Sequence, residues 1–177
     1  MPTADTTPDA RRWTTGRVLA TGVVVALVAM WGYVVFLAFG PGRQDPPDRL
    51  DDPAFATAAE ARCSAALDAI AQLPDASEVA SATERAEVVD EANGELERML
   101  DDLDALAPGG DDGRIVRAWL ADWQTYLGDR TDFAAALRVD PEARLLVSAR
   151  DREQITEYLD AFAADNHMPA CATPLDV

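Results

Sequence analysis

Lysine is missing from this chain: all fifteen basic residues are arginine, set against thirty-two aspartates and glutamates, for a formal net charge of −17 over 177 residues. An acidic surface of this kind repels phosphate backbones and anionic head groups, which argues against nucleic acid and peripheral lipid as partners. Charge alone also keeps a domain soluble, so its first meaning is solvation. The lysine-free, alanine- and aspartate-rich composition fits a high-GC genome and equally a halophile. Histidine occurs once, at position 167, so any Ser-His-Asp or Cys-His arrangement would have to pass through His167 in the C-terminal tail. Cysteine occurs twice, at 63 and 171, too few for the paired-cysteine ligand sets of structural metal sites. No phosphate-binding glycine loop, dinucleotide fingerprint or internal repeat is present.

What the chain does have is one long apolar run. The twenty-two residues Val18 to Phe39 carry no charged side chain. As a helix they would extend about 33 Å, enough to cross a hydrocarbon core of about 30 Å. Arg11, Arg12 and Arg17 precede the run and only Arg43 and Arg49 follow closely, which favours a cytoplasmic N-terminus. Both cysteines lie downstream, as suits one disulfide in an oxidising compartment. A cleaved signal peptide is the rival reading. Its apolar core is normally about 7 to 15 residues, and the small-x-small site Ala38-Phe39-Gly40 would leave Pro41 as the new N-terminus. The expectation is therefore a single-pass protein of the cell membrane: a cytoplasmic tail over 1–17, a span over 18–39, a Pro/Gly-rich linker over 40–52 and an extracytoplasmic domain over 53–177. Within the span, Gly22 and Ala26 form a small-xxx-small pair that would permit close helix approach and a homodimer.

The exported part is helical by period. Asp52-Pro53 opens a run with Phe55, Ala59, Cys63, Ala66, Leu67, Ile70 and Leu73 on one arc, which Pro74 stops. Ser81 and Glu84 have capping-box spacing before a second run through Val89, Leu96, Leu100 and Leu103. The breaker Ala107 to Gly113 precedes a third, with Ile115, Trp119, Trp123, Tyr126, Phe133 and Leu137 on its apolar face. Residues 139–151 fit either a connecting turn or an extended piece. A fourth run carries Ile155, Leu159, Phe162 and Ala163. These patterns predict an all-α fold, an N-terminal transmembrane helix followed by a small antiparallel bundle of about four helices. A bond between Cys63 and Cys171 would fasten the tail to the first bundle helix.

The densest cluster of functional residue types is Trp119 to Arg130, with Trp119, Asp122, Trp123, Tyr126, Asp129 and Arg130. Aromatics sharing one face of an amphipathic helix usually belong to the core. Arg130 is different: in an unbroken helix it enters that arc and needs acceptors, with Asp122, Asp129 and Asp165 in reach, whereas a bend at Gly128 would return it to solvent. His167, Met168 and Cys171 are three soft ligands close together, but a disulfide better explains Cys171. Asp101, Asp102, Asp104, Asp111 and Asp112 crowd a glycine turn without the spacing of an EF-hand, leaving weak calcium binding or solvated helix ends.

The segments Gly40 to Phe55 (GPGRQDPPDRLDDPAF), Trp119 to Arg130 (WLADWQTYLGDR) and Asn166 to Val177 (NHMPACATPLDV) resemble a group of single-span membrane proteins of high-GC actinobacteria, over nearly the whole chain. The resemblance implies an anchored, exported domain and brings no activity and no catalytic residue. The functional expectation is a non-enzymatic interaction or envelope-associated module, using no cofactor and no metal. It touches lipid through its span and acts through a membrane-protein partner or a second copy. The alternatives are an extracytoplasmic enzyme using Asp122, Asp129 and Arg130, or a weak cation-binding protein.

Overall fold

A computed structural model describes residues 15–39, 46–76 and 78–175. The expected cytoplasmic tail up to residue 14 and the linker stretch 40–45 lie outside the described residues. The chain divides into two units, Met1–Asp45 and Pro46–Val177. In the first, helix α1 spans Thr15–Phe39, and its stretch Val18–Leu37 is long and apolar enough to cross a membrane, a property that a signal sequence shares. Its residues from Val18 to Leu37 are all exposed, Gly22 and Ala26 among them.

The second unit is the expected bundle of four helices: α2 (Pro53–Ile70), α3 (Ala82–Leu106), α4 (Gly110–Leu137) and α5 (Ile155–Asp165). α2 starts where the sequence places a cap. Asp52 accepts the Ala54 N–H at 2.9 Å, and Pro53 fills the first helical position, where no N–H is needed. The Asp112 carboxylate of α4 accepts the N–H groups of Asp51 and Asp52 at 3.2 and 3.1 Å, joining the starts of the two helices. At α3, Ser81 accepts from Glu84 N–H at 3.2 Å, while the Glu84 carboxylate reaches back to Ala80 N–H at 2.9 Å, one residue earlier than a regular capping box.

Between α3 and α4 the chain turns so tightly that the Pro108 carbonyl lies against Gly113, where a Cβ would come within 1.9 Å of its oxygen. α4 then continues for 28 residues, passing through Gly128 without a break. Beyond it the chain turns at Pro141 and Glu142 and then runs extended. Ala143, Leu145 and Val147 are half-buried while Arg144 and Leu146 are exposed, the two-residue alternation of a strand. It leads into a two-stranded antiparallel hairpin, β1 (Ala149–Arg150) and β2 (Glu153–Gln154), pairing Arg150 with Glu153.

The main core combines Phe55, Ala59, Leu96, Leu103, Trp119, Trp123, Leu159 and Phe162 from all four helices. A smaller cluster, Val89 with Phe133, Ala134 and Leu137, sits where the start of α3 meets the end of α4, covered by Ala143 and Leu145. α5 ends in a Schellman motif: Met168 N–H reaches the Ala163 carbonyl at 2.8 Å, His167 N–H reaches Ala164 at 3.2 Å, and His167 has φ 59°. The motif turns the chain into a 3-10 turn at Pro169–Cys171, which lies on α2. There Cys171 is bonded to Cys63, both fully buried. Asn166 ties in the N-terminal approach, accepting Leu50 N–H at 2.8 Å and donating to the Asp48 carbonyl at 3.1 Å, with Leu50 itself buried. Residues 46–52, expected as part of the linker, thus belong to the compact unit.

Candidate functional site

The structure separates the residues of the Trp119 to Arg130 cluster into three environments. Trp119, Trp123 and Tyr126 are buried. Trp119 stacks on Phe162 with ring centroids 4.8 Å apart and meets Trp123 edge-on at 6.3 Å, and its indole N–H points to the Leu159 carbonyl at 3.4 Å. All three belong to the main core, where Trp119 meets α5 directly.

Arg130 is fully buried, as an unbroken α4 requires. Its Nε donates to the Asn93 side-chain oxygen of α3 at 2.6 Å, and the guanidinium lies 5.8 Å from the Tyr126 ring. Asn93 is absent from the sequence expectations, although its place four residues after Val89 and three before Leu96 puts it on the apolar arc of α3. Asp129 turns the other way, accepting Ser148 N–H at 2.7 Å and its hydroxyl at 2.8 Å, so it anchors the extended stretch before β1.

Asp122 has a different neighbour again. The Nη1 of Arg150, carried in by the hairpin, donates to both of its oxygens at 2.9 and 2.7 Å. The same guanidinium lies 3.8 Å above the Tyr158 ring, whose hydroxyl donates to the Arg150 carbonyl at 3.3 Å. The Arg150 side chain is 45% exposed, so the ion pair contributes at most about 1 kcal/mol and the ring contact about as much. The turn behind it is strained. Its two loop residues, Asp151 and Arg152, have φ 52° and 77°, a left-handed pair that favours Asn and Gly and costs about 1 kcal/mol or more at a residue such as arginine. Contact and strain are of similar size.

These groups edge a cleft of about 220 Å³ between α4 and α5. Trp119, Phe162 and Tyr158 supply its aromatic lining; Asp48, Asp122 and Asp165 face Arg114 and Arg150 around it. Among the described residues neither Asp48 nor Asp165 is ion-paired. A larger apolar groove of about 630 Å³ lies between the end of α2 and the tail, lined by Leu67, Ile70, Leu73, Pro74, Pro169 and Pro174 among others.

The remaining sequence candidates disperse. Asp112 is used in the contact with α2, Asp102 pairs with Arg62 at 3.5 Å and Asp111 with Arg114 at 3.7 Å, and no group of three potential metal ligands forms among the described residues. His167 is exposed, Met168 is buried and Cys171 is bonded to Cys63, so these three do not converge on one ion. The chain matches no protein-family model, no curated protein and no solved structure.

Proposed function

We propose that this chain is a signal-anchored, single-pass membrane protein that displays an acidic, disulfide-closed bundle on the outer side of the cytoplasmic membrane, as a non-enzymatic interaction module. The observation that carries this reading is the bond between two fully buried cysteines, Cys63 and Cys171, both downstream of an apolar helix. Such a bond belongs to an oxidising compartment. The arginine bias across α1 supports the same direction of insertion. A binding role is supported by the way Asp122, Asp129 and Arg130 are each committed to a partner within the fold, in three separate places. The partner is a membrane protein or a second copy meeting it through Gly22 and Ala26, and the acidic surface selects against nucleic acid.

Protease added to intact spheroplasts should digest the bundle and spare an N-terminal tag. Cys63 and Cys171 should resist alkylation until denaturant and reductant are added together. Thiols that label in denaturant alone, or a polypeptide recovered without α1, would overturn the reading. Cross-linking of the native, anchored protein should capture a stoichiometric partner or a dimer, and repeated recovery of the monomer alone would count against an interaction role.

A further inference from the structure

We infer that the cleft between α4 and α5 is a guanidinium site, occupied at rest by the protein's own Arg150 and opened to an arginine of a partner polypeptide when the hairpin gives way. The inference rests on the interaction-module reading and names the chemistry of its ligand. Arg150 already demonstrates what the cleft holds: a planar cation over the Tyr158 ring, 3.8 Å from its centroid, and against the Asp122 carboxylate at 2.7 and 2.9 Å. Its own fit is imperfect, because one nitrogen, Nη1, serves both carboxylate oxygens. A guanidinium arriving from outside can offer two nitrogens to the two oxygens, the paired geometry that binds carboxylates most strongly.

Two further observations favour displacement. The hairpin that delivers Arg150 is a two-residue turn with both Asp151 and Arg152 in the left-handed region, so releasing it relieves backbone strain while breaking the contact. Asp48 and Asp165 also line the cleft and are not ion-paired among the described residues, which leaves negative charge to steer a cationic partner. About 220 Å³ stays open beside Arg150, room for a side chain and not for a folded element.

The test uses the full chain in nonionic detergent, with N-acetyl-arginine amide as probe and the Trp119 indole N–H resonance as readout. Arg150→Ala should bind the probe severalfold more tightly than wild type, and Arg150→Gln, which keeps the side-chain length, should behave alike. Adding Asp122→Asn to either variant should remove the gain. N-acetyl-lysine amide should bind several-fold more weakly than the arginine probe. Near-UV circular dichroism identifies which variants keep the fold. Folded Arg150 variants that bind no better than wild type would overturn the assignment. So would a gain that survives Asp122→Asn, or equal affinity for the lysine probe. These readouts do not depend on topology, so their failure leaves the membrane reading standing, and a cytoplasmic bundle would leave the guanidinium site standing.

Discussion

Opening the Cys63–Cys171 bond is the sharpest perturbation this fold offers, because the bond links residues 108 positions apart in a compact unit that starts at Pro46. Closing a loop of that length in the unfolded chain is worth about 4.7 kcal/mol on the chain-entropy estimate. The native state should survive reduction, since the tail has other attachments. Met168 is fully buried, Ala170 N–H reaches Glu60 at 2.9 Å, and Thr173 donates its N–H to Asp160 at 2.7 Å and its hydroxyl at 3.0 Å. The loss should therefore appear as global destabilisation without a change of fold. With a urea dependence near 2 kcal/mol/M the midpoint should fall by about 2 M. For a domain of about 130 residues the melting temperature should fall by roughly 15 °C.

The assay is urea denaturation of the full chain in mild detergent, followed by Trp fluorescence, in oxidised, reduced and Cys63→Ala/Cys171→Ala forms. The alanine form should lose about 1 to 2 kcal/mol more than the reduced form, because it also removes two buried sulfurs. A midpoint shift under about 0.5 M on reduction would refute the reasoning, by showing that the unfolded chain gains little freedom from the open loop. Early proteolysis after Asp165 with the bundle intact would refute the other premise, that the tail stays docked unaided.

Two glycines of α4 should respond oppositely to alanine. Gly128 sits in a helix interior with open space where a Cβ would stand, so Gly128→Ala should stabilise by about 0.5 to 1 kcal/mol. Gly113 faces the Pro108 carbonyl, so Gly113→Ala must push the α3–α4 turn aside and should cost about 1 to 3 kcal/mol; equal effects in urea titrations would contradict the geometry. Asn93→Ala removes the 2.6 Å acceptor of a fully buried guanidinium and should cost about 2 to 3 kcal/mol, and a loss under about 0.5 kcal/mol would mean that Arg130 is held without it. His167 occupies the left-handed position of a Schellman motif, so His167→Gly should raise stability by about 0.5 to 1 kcal/mol in thermal melts, whereas no change would argue that the strain is absorbed elsewhere.

Helix number, limits and buried faces were legible because each is a local property. Asp52-Pro53, Ser81 with Glu84, and the Ala107 to Gly113 breaker act within one turn of the chain, and the structure starts α2 and α3 and stops α3 at those places, whereas α2 ends at Ile70, short of the expected Leu73, and α4 already begins at Gly110 inside the breaker. The apolar arcs were equally plain: Val89, Leu96, Leu100 and Leu103 of α3, and Ile155, Leu159, Phe162 and Ala163 of α5, are all buried. The stretch 139–151 was not legible, because its period-two pattern covers only Ala143 to Val147, and its inner residues cover a cluster built by other helices. The docking of Leu50 was hidden for a related reason. Nothing near Leu50 in the chain shows that Asn166, 116 positions away, will accept its N–H.

The polar contacts depend on something that no single helix encodes, the rotation and sliding of one helix against another. Arg130 could be placed in the apolar arc of α4 from spacing alone, yet which acceptor meets it is decided by how α3 lies alongside. Asn93 of α3 takes that place, while Asp129, one residue from Arg130 in sequence, faces Ser148. The same applies to Asp122, whose partner Arg150 comes from a hairpin only two residues wide on each strand. Side chains i and i+1 on a helix point about 100° apart, so a compact cluster in sequence is spread around the cylinder, and its chemistry is divided among different neighbours. A functional site in a bundle therefore lies in the grooves between helices, where residues distant in sequence meet. One such groove in this chain lies between α4 and α5, where Asp122 and Tyr158 hold the Arg150 guanidinium that the hairpin supplies.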